Sequence, residues 1–356
     1  MTAESATRRA AERFPTVLWN DSADPAELAR SIEFGAVGAT CNPVIALTVV
    51  KAHLETWRPR IAELAAQFPD ASESELGWKV VEELSIGAAK LLEPAFRTSG
   101  GRNGRLSLQT DPRLHRNADA LVAQAVHFAG LAENIIVKIP ATEVGLAAIE
   151  EATYRGVSIN VTVSFTVAQA VASAEAIERG LDRRAAEGLP DREFGSVVTL
   201  MGGRLDDWLK FWAAKHRILI EPGYLEWAGV AALKRAHHVF TERGFRSRVL
   251  SAAFRNHLQW SELQGGDLVV SPPFDWQARI NENDIEVEDR IDVPVDAQIV
   301  ETLLAKLPEF RRAYEVDGMR PDEFESFGAT VRTLRQFLEA DEALDQVVRD
   351  VLLPPV

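Results

Sequence analysis

Eight short runs of β-branched and aliphatic residues recur along the chain, and a stretch with helical periodicity separates each from the next. The runs are residues 17–21, 36–40, 105–110, 135–140, 157–164, 196–201, 247–253 and 267–271. Between them, segments such as 166–180 place Val167, Ala170, Val171, Ala174 and Ile177 on one stripe, the spacing of an amphipathic helix. Strands that alternate with helices pair in parallel through right-handed crossovers, and eight such units close into a barrel. The expected fold is therefore α/β, a (β/α)8 TIM barrel. An open, doubly wound sheet is the competing architecture, but no G-x-G-x-x-G follows any of the runs.

Two segments lie outside the eight units. Residues 2–13 read as a leading helix. After Pro272-Pro273 comes a polar stretch, 281–292, and then about 60 residues of helical pattern carrying Phe310, Tyr314, Phe324, Phe327, Leu334 and Phe337 as anchors. The expectation is a barrel over residues 1–275 and a C-terminal helical extension over 276–356, packed on the barrel.

Charge limits the partners. Fifty-three acidic residues against 39 basic ones give a net charge of -14, which repels phosphate backbones and anionic lipid surfaces. Neither nucleic acid nor a membrane is expected as a partner, and an anionic substrate would need a few focused arginines. No apolar run reaches the roughly 20 residues of a membrane span, and the opening residues show no apolar leader; the expectation is a cytoplasmic protein. The single cysteine, Cys41, excludes an internal disulfide and a cysteine-built metal site. The seven histidines show no ligand spacing, so no metal is expected. The sequence leaves a homo-oligomer open.

In such barrels chemistry sits at the C-terminal ends of the strands. Those ends carry Asp21, Asn42, Gln109, Asp111, Lys138, Asn160, Thr162, Ser164, Thr199, Arg204 and Arg255. Lys138 interrupts Ile135-Ile136-Val137-Lys138-Ile139-Pro140, a strand buried on both sides in a barrel. Burial disfavours the ammonium and leaves a nucleophilic amine nearer neutral pH, something arginine cannot provide. A Schiff-base lysine and a structural lysine in an internal ion pair are the two readings of such a residue. Asp21 ends the first strand, while Asp24-Pro25 makes the better helix start, which frees Asp21 for proton transfer. Arg204 follows Gly202-Gly203 at a helix start, and Arg255 lies just past the seventh strand; together they suit a phosphate. Cys41 reads as a packing residue, and Gly100-Gly101-Arg102-Asn103-Gly104 as a turn before a strand rather than a phosphate loop.

These residues resemble the transaldolase family, in order, along roughly residues 15–260. The matching pieces are Leu18-Trp19-Asn20-Asp21-Ser22-Ala23-Asp24, Gly38-Ala39-Thr40-Cys41-Asn42-Pro43, Val137-Lys138-Ile139-Pro140-Ala141-Thr142, Gly156-Val157-Ser158-Ile159-Asn160-Val161-Thr162-Val163-Ser164-Phe165, Gly203-Arg204-Leu205-Asp206 and Ala253-Phe254-Arg255-Asn256. The resemblance implies Lys138 as the nucleophile toward a ketose phosphate and Asp21 as acid and base for carbon–carbon cleavage. It also implies Asn42 and Asn160 on substrate hydroxyls, Thr162 placing a water, Arg204 with Arg255 on the phosphate, and no cofactor.

The departures are specific. Family members usually have glutamate where this chain has Gln109, and glutamine there resembles the fructose-6-phosphate aldolase branch. That branch has a tyrosine where Met201 stands, and transaldolases commonly a phenylalanine. Ala253 replaces a phosphate-binding serine, whose part Ser251 or Thr199 would have to take. The expectations are therefore transfer of a dihydroxyacetone unit between sugar phosphates, an aldolase, or a divergent Schiff-base lyase or isomerase, with a silent sugar-phosphate-binding barrel as the non-enzymatic reading.

Overall fold

The computed structural model describes residues 5–190, 193–285 and 287–354. The strands are β1 (Val17–Asn20), β2 (Ala36–Cys41), β3 (Arg105–Gln109), β4 (Ile135–Pro140), β5 (Ile159–Thr162), β6 (Val197–Leu200), β7 (Arg248–Ala252) and β8 (Val269–Ser271). All neighbours pair in parallel, in sequence order, and Val17 and Leu18 meet Val269 and Val270 to close the barrel. The closed barrel rules out the open-sheet alternative. All eight expected strands are present; β4 has the expected bounds, β2 is one residue longer, and the others are shorter by one to four residues, β5 to β7 at both ends and β8 at its N-terminal end.

Alternation divides the strand side chains between two cores. On β4, Ile135, Val137 and Ile139 join the large core between sheet and helices. Ile136 faces the lumen, in a cluster with Trp19, Val197, Leu250, Ala252 and Val269. This cluster fills the interior below the strand ends. Trp19 is fully buried, and its indole lies where a Cβ on Gly38 would fall, at 2.5 Å, so only glycine on β2 admits this plug.

The leading helix spans Ala6–Arg13 and is capped by Ser5; residues 2–4 of the expected helix lie outside the described residues. Thr7 ties it to the helix Phe274–Glu282, its N–H donating to Asn281 Oδ1 at 2.9 Å. Beyond that helix come Ala297–Lys306, Pro308–Tyr314 and a final 25-residue helix, Gly328–Leu352. The final helix crosses from Gly202–Lys215 to Pro43–Ala52 and Glu73–Thr98, burying Thr333, Leu334, Phe337, Ala340, Asp341, Leu344 and Val348. Among the described residues, no helix is long and apolar enough to cross a membrane.

One polar cluster fastens this helix to the loop after β3. Arg113 approaches Asp341 at 3.0 Å, Asp111 at 2.8 Å and Asp345 at 3.4 Å. Asp111 also caps the turn Pro112–Leu114, so the Asp111 at the strand end serves architecture here. Asp341 is buried, and burial, then the charge of Asp111, pushes its carboxyl up to about 7 against the pull of Arg113. A carboxyl whose pKa rises on folding keeps its proton in the folded state after the unfolded chain has lost it. Stability therefore falls as pH rises from about 4 to about 7. Asp341→Asn is expected to flatten part of that fall and to gain on the order of 1 kcal/mol at pH 8, read from urea midpoints at pH 5 and pH 8. Equal pH slopes in both proteins would remove Asp341 as a source of the dependence.

Candidate active site

A cavity of about 130 Å³ opens at the C-terminal ends of the strands, lined by Asp21, Thr40, Asn42, Lys138, Thr162, Thr199, Met201, Arg204, Arg255 and Phe337, among others. Seven of the nine expected site residues thus share one wall; Gln109 and Asn160 do not line it. A larger cavity of about 750 Å³ lies at the other end of the strands, against Ser196, Ser247, Arg248 and Asp267. Chemistry is assigned to the smaller one, because strand C-termini are where barrel loops gather polar groups and because no lysine lines the larger one.

Lys138 is two positions beyond Ile136 and shares its lumenal face. It is 6% exposed, and among the described residues its Nζ has neither a hydrogen bond nor a carboxylate within 4 Å. Burial holds the pKa of its ammonium below the ordinary lysine value; the Asp21 charge opposes this and Arg204 reinforces it. Lys234 is the instructive contrast. That lysine is also buried, but donates to Glu262 at 2.8 Å and to the carbonyls of Arg290 and Val293 at 2.7 Å each. The internal ion pair that a structural lysine requires is present at Lys234 and absent at Lys138.

Asp24 caps the helix Pro25–Glu33, accepting from the N–H groups of Ala26 and Glu27 at 2.9 and 3.0 Å, so Asp21 is free of that duty. Its carboxylate accepts instead from the Thr40 hydroxyl. Asn42 caps Pro43–Ala52 through its Oδ1, at 3.0 Å from Ile45 N, and lines the cavity with the rest of its side chain.

Asn160 is held by two protein partners. Its Nδ2 donates to Ser107 Oγ at 2.8 Å and its Oδ1 accepts from Thr199 Oγ1 at 2.7 Å. It braces Thr199 and stands beside Lys138 in the β4–β5 register, and it is not among the lining groups. Gln109 stands opposite Lys138 in the β3–β4 register, buried, and among the described residues its Oε1 has no hydrogen-bond partner. An orphaned acceptor costs roughly 1–3 kcal/mol, so this one is an available acceptor beside the amine. Ser251 donates to the Gln259 carbonyl at 3.4 Å and is no substitute for the missing serine; Thr199 lines the cavity. Cys41 points into the outer core, where burial pushes its thiol up to about 11, as a packing residue.

The two arginines are unlike each other. Arg204 belongs to the first turn of Gly202–Lys215, whose preceding residue Met201 offers no side-chain cap; the Arg204 N–H turns back to the Met201 carbonyl at 3.0 Å, and the N–H groups of Gly202 and Gly203 are left without a side-chain cap. Arg204 has no carboxylate within 4 Å among the described residues. Burial, then the neighbouring Arg255, keeps its pKa below the ordinary arginine value. Arg255 is tied to Asp207 by contacts of 2.8 Å. Gly203 permits this meeting of loops, since a Cβ there would fall 1.8 Å from Ala253 O. Sequence reasoning missed the roof: Thr333, Gln336 and Phe337 come from the final helix, where their pattern reads only as packing. It also missed Asp206, fully buried, which accepts from Gln259 Nε2 at 2.8 Å and Gly229 N at 2.7 Å and so steadies the Arg255 loop. Among the described residues no three His, Cys, Asp or Glu side chains gather as a metal-ligand set.

The fold is a closed (β/α)8 barrel, and among the described residues the lysine on its fourth strand has no ion-pair partner. The match to a family model described as "Transaldolase/Fructose-6-phosphate aldolase" covers residues 18–316, and the chain belongs to that family. Among named relatives it is similar to "Transaldolase 1" of Streptomyces avermitilis, 33% identical over 172 residues, 48% of this chain and 45% of that protein. It is also similar to a "Transaldolase" of Thiobacillus denitrificans, 35% identical over 177 residues, 49% of this chain and 48% of that one. The chain thus spans about half the length of the curated relatives it matches.

An amine with a lowered pKa reacts where ordinary lysines are protonated. With cyanate at pH 7, Lys138 is expected to carbamylate about tenfold faster than the other seven lysines, measured by peptide mapping. Asp21→Asn removes the charge that favours the ammonium and is expected to move the half-maximal pH further down; a rise would contradict the electrostatics described.

Proposed function

We propose that the protein transfers a dihydroxyacetone unit between a ketose phosphate and an aldose phosphate through a Schiff base on Lys138. The support is the unpaired, buried Lys138 in one cavity with Asp21 and Arg204. The Lys138 amine adds to the keto carbon, and the carbinolamine loses water to a protonated imine. Gln109, with its unclaimed Oε1, accepts from the carbinolamine hydroxyl or from the departing water, and Thr162 places that water. Asp21, steadied by Thr40, takes the proton of the C4 hydroxyl. The C3–C4 bond then breaks, its electron pair passes into the imine to form an enamine, and the aldehyde fragment leaves. A second aldehyde accepts the enamine carbon while Asp21 returns the proton to its oxygen. Asn42 holds a substrate hydroxyl, Arg204 with the helix N-terminus and Arg255 bind the phosphate, and Thr199, set by Asn160, orients the group between them.

The aldolase reading differs in one step, hydrolysis of the enamine adduct without an acceptor. Glutamine at position 109 resembles the aldolase branch, although an amide can orient that water and cannot deprotonate it. Consumption of donor that requires glyceraldehyde 3-phosphate identifies the transferase; consumption without it identifies the aldolase.

Borohydride reduction in the presence of fructose 6-phosphate is expected to leave a three-carbon adduct on Lys138, seen by intact mass and peptide mapping, and none on Lys138→Ala. Absence of any adduct across a panel of ketose phosphates from folded protein would sink the Schiff-base reading. Gln109→Glu supplies a base for water and is expected to raise the rate of imine turnover by about tenfold; an unchanged rate removes Gln109 from the mechanism.

A further inference from the structure

The matched family region ends at residue 316, yet the cavity is closed by a helix that begins at Gly328. Thr333, Gln336 and Phe337 lie at i, i+3 and i+4 on that helix and so share one face. Arg204 Nη1 donates to Thr333 Oγ1 at 3.2 Å and to Gln336 Oε1 at 2.6 Å. Its guanidinium carbon lies 5.5 Å from the Phe337 ring centroid. These partners are all uncharged. They orient the guanidinium without pairing it with a carboxylate, whereas Arg255 is ion-paired to Asp207.

We propose that Gln336, with Thr333, is a positioning pair that aims an uncompensated Arg204 at the anionic end of the substrate, and so makes the site selective for phosphorylated over unphosphorylated sugars. The inference rests on the assignment of the cavity to sugar phosphates given above, and deepens it. Gln is suited to this position and Glu is not. Both reach the guanidinium, but a carboxylate would pair with Arg204 and compete with phosphate for the same N–H groups. The pair acts through Arg204 and touches no reacting atom. Its loss is therefore expected in the affinity for the phosphate and not in imine chemistry.

The test compares Gln336→Ala, Gln336→Glu, Thr333→Val and Thr333→Ser. Inorganic phosphate binding by calorimetry is read first, since it needs no turnover. Gln336→Ala and Thr333→Val are expected to weaken it about threefold to tenfold, Gln336→Glu by more than tenfold, and Thr333→Ser to restore it. Arg204→Gln serves as the control that abolishes it. In turnover, KM for fructose 6-phosphate is expected to rise by similar factors at nearly constant kcat. Reductive trapping of unphosphorylated dihydroxyacetone on Lys138 is expected to remain unchanged. Equal phosphate affinity in wild type and Gln336→Glu, or no phosphate binding by wild type, overturns the proposal. So does a parallel loss of dihydroxyacetone trapping in the variants, which marks a structural role. Phosphate binding with the expected order of variants, but no adduct from any ketose, upholds the positioning pair and rejects the Schiff-base function instead.

Discussion

In a closed parallel barrel, parity along a strand decides whether a side chain meets the helices or the lumen, and the site depends on that parity at β4. Ile136 joins the lumenal plug with Trp19, Val197 and Val269, so Lys138, two residues on, stands directly above that plug. The plug denies the ammonium water from below and the strands deny it water from the side. A charge in such surroundings is costly unless another charge answers it. The cavity offers Asp21 as a nearby carboxylate but no ion pair, and the outcome is a lysine held toward its neutral form. Had the strand begun one residue later, Lys138 would face the helices and Val137 the cavity.

The surrounding charges follow from the same constraint. A chain with a net charge of -14 has carboxylates to spare, yet those near the site are kept busy elsewhere. Asp24 caps a helix, Asp206 accepts two hydrogen bonds within the protein, and Asp207 holds Arg255 at the rim. Arg204 alone among these groups is oriented by neutral acceptors, so its positive field is spent on the cavity. That field also lowers the Lys138 pKa, which means that the group suited to an anion and the group suited to a carbonyl reinforce each other.

Much of this was legible in the sequence because it is local. A lysine in a β-branched run, an Asp-Pro pair that relieves an earlier aspartate, and a Gly-Gly-Arg helix start each carry their meaning within a few residues. What was illegible depends on partners far along the chain. Asn160 looks like a ligand for hydroxyls, but Ser107 and Thr199, on two other strands, occupy both ends of its amide. Phe337 and Gln336 sit in an amphipathic helix whose pattern says only that one face is buried. The pairing of Arg255 with Asp207 was illegible for the same reason, since the two lie 48 positions apart and meet only where the loops after β6 and β7 come together.

The loops that carry the site are strained, and similar devices hold them. Val163 and Ala253, just beyond β5 and β7, have φ of 51° and 63°, a region that costs such residues of order 1–3 kcal/mol. Six residues past each lies a fully buried glutamine. Gln169 accepts from Phe165 N at 3.0 Å and donates to Val163 O at 3.2 Å and Ala141 O at 3.0 Å. Gln259 accepts from Arg255 N at 2.5 Å and donates to Asp206 at 2.8 Å. A third, Gln277, six residues past Ser271, donates to Asn20 Oδ1 at 2.8 Å and Pro272 O at 3.0 Å, and accepts from Ser31 at 2.6 Å. Each amide gives and takes at once, which a carboxylate cannot do. A buried glutamate in any of these places would lose the donated hydrogen bonds and leave those acceptors unanswered. Neutral clamps hold the loops in strained turns while leaving the electrostatics to Asp21 and Arg204.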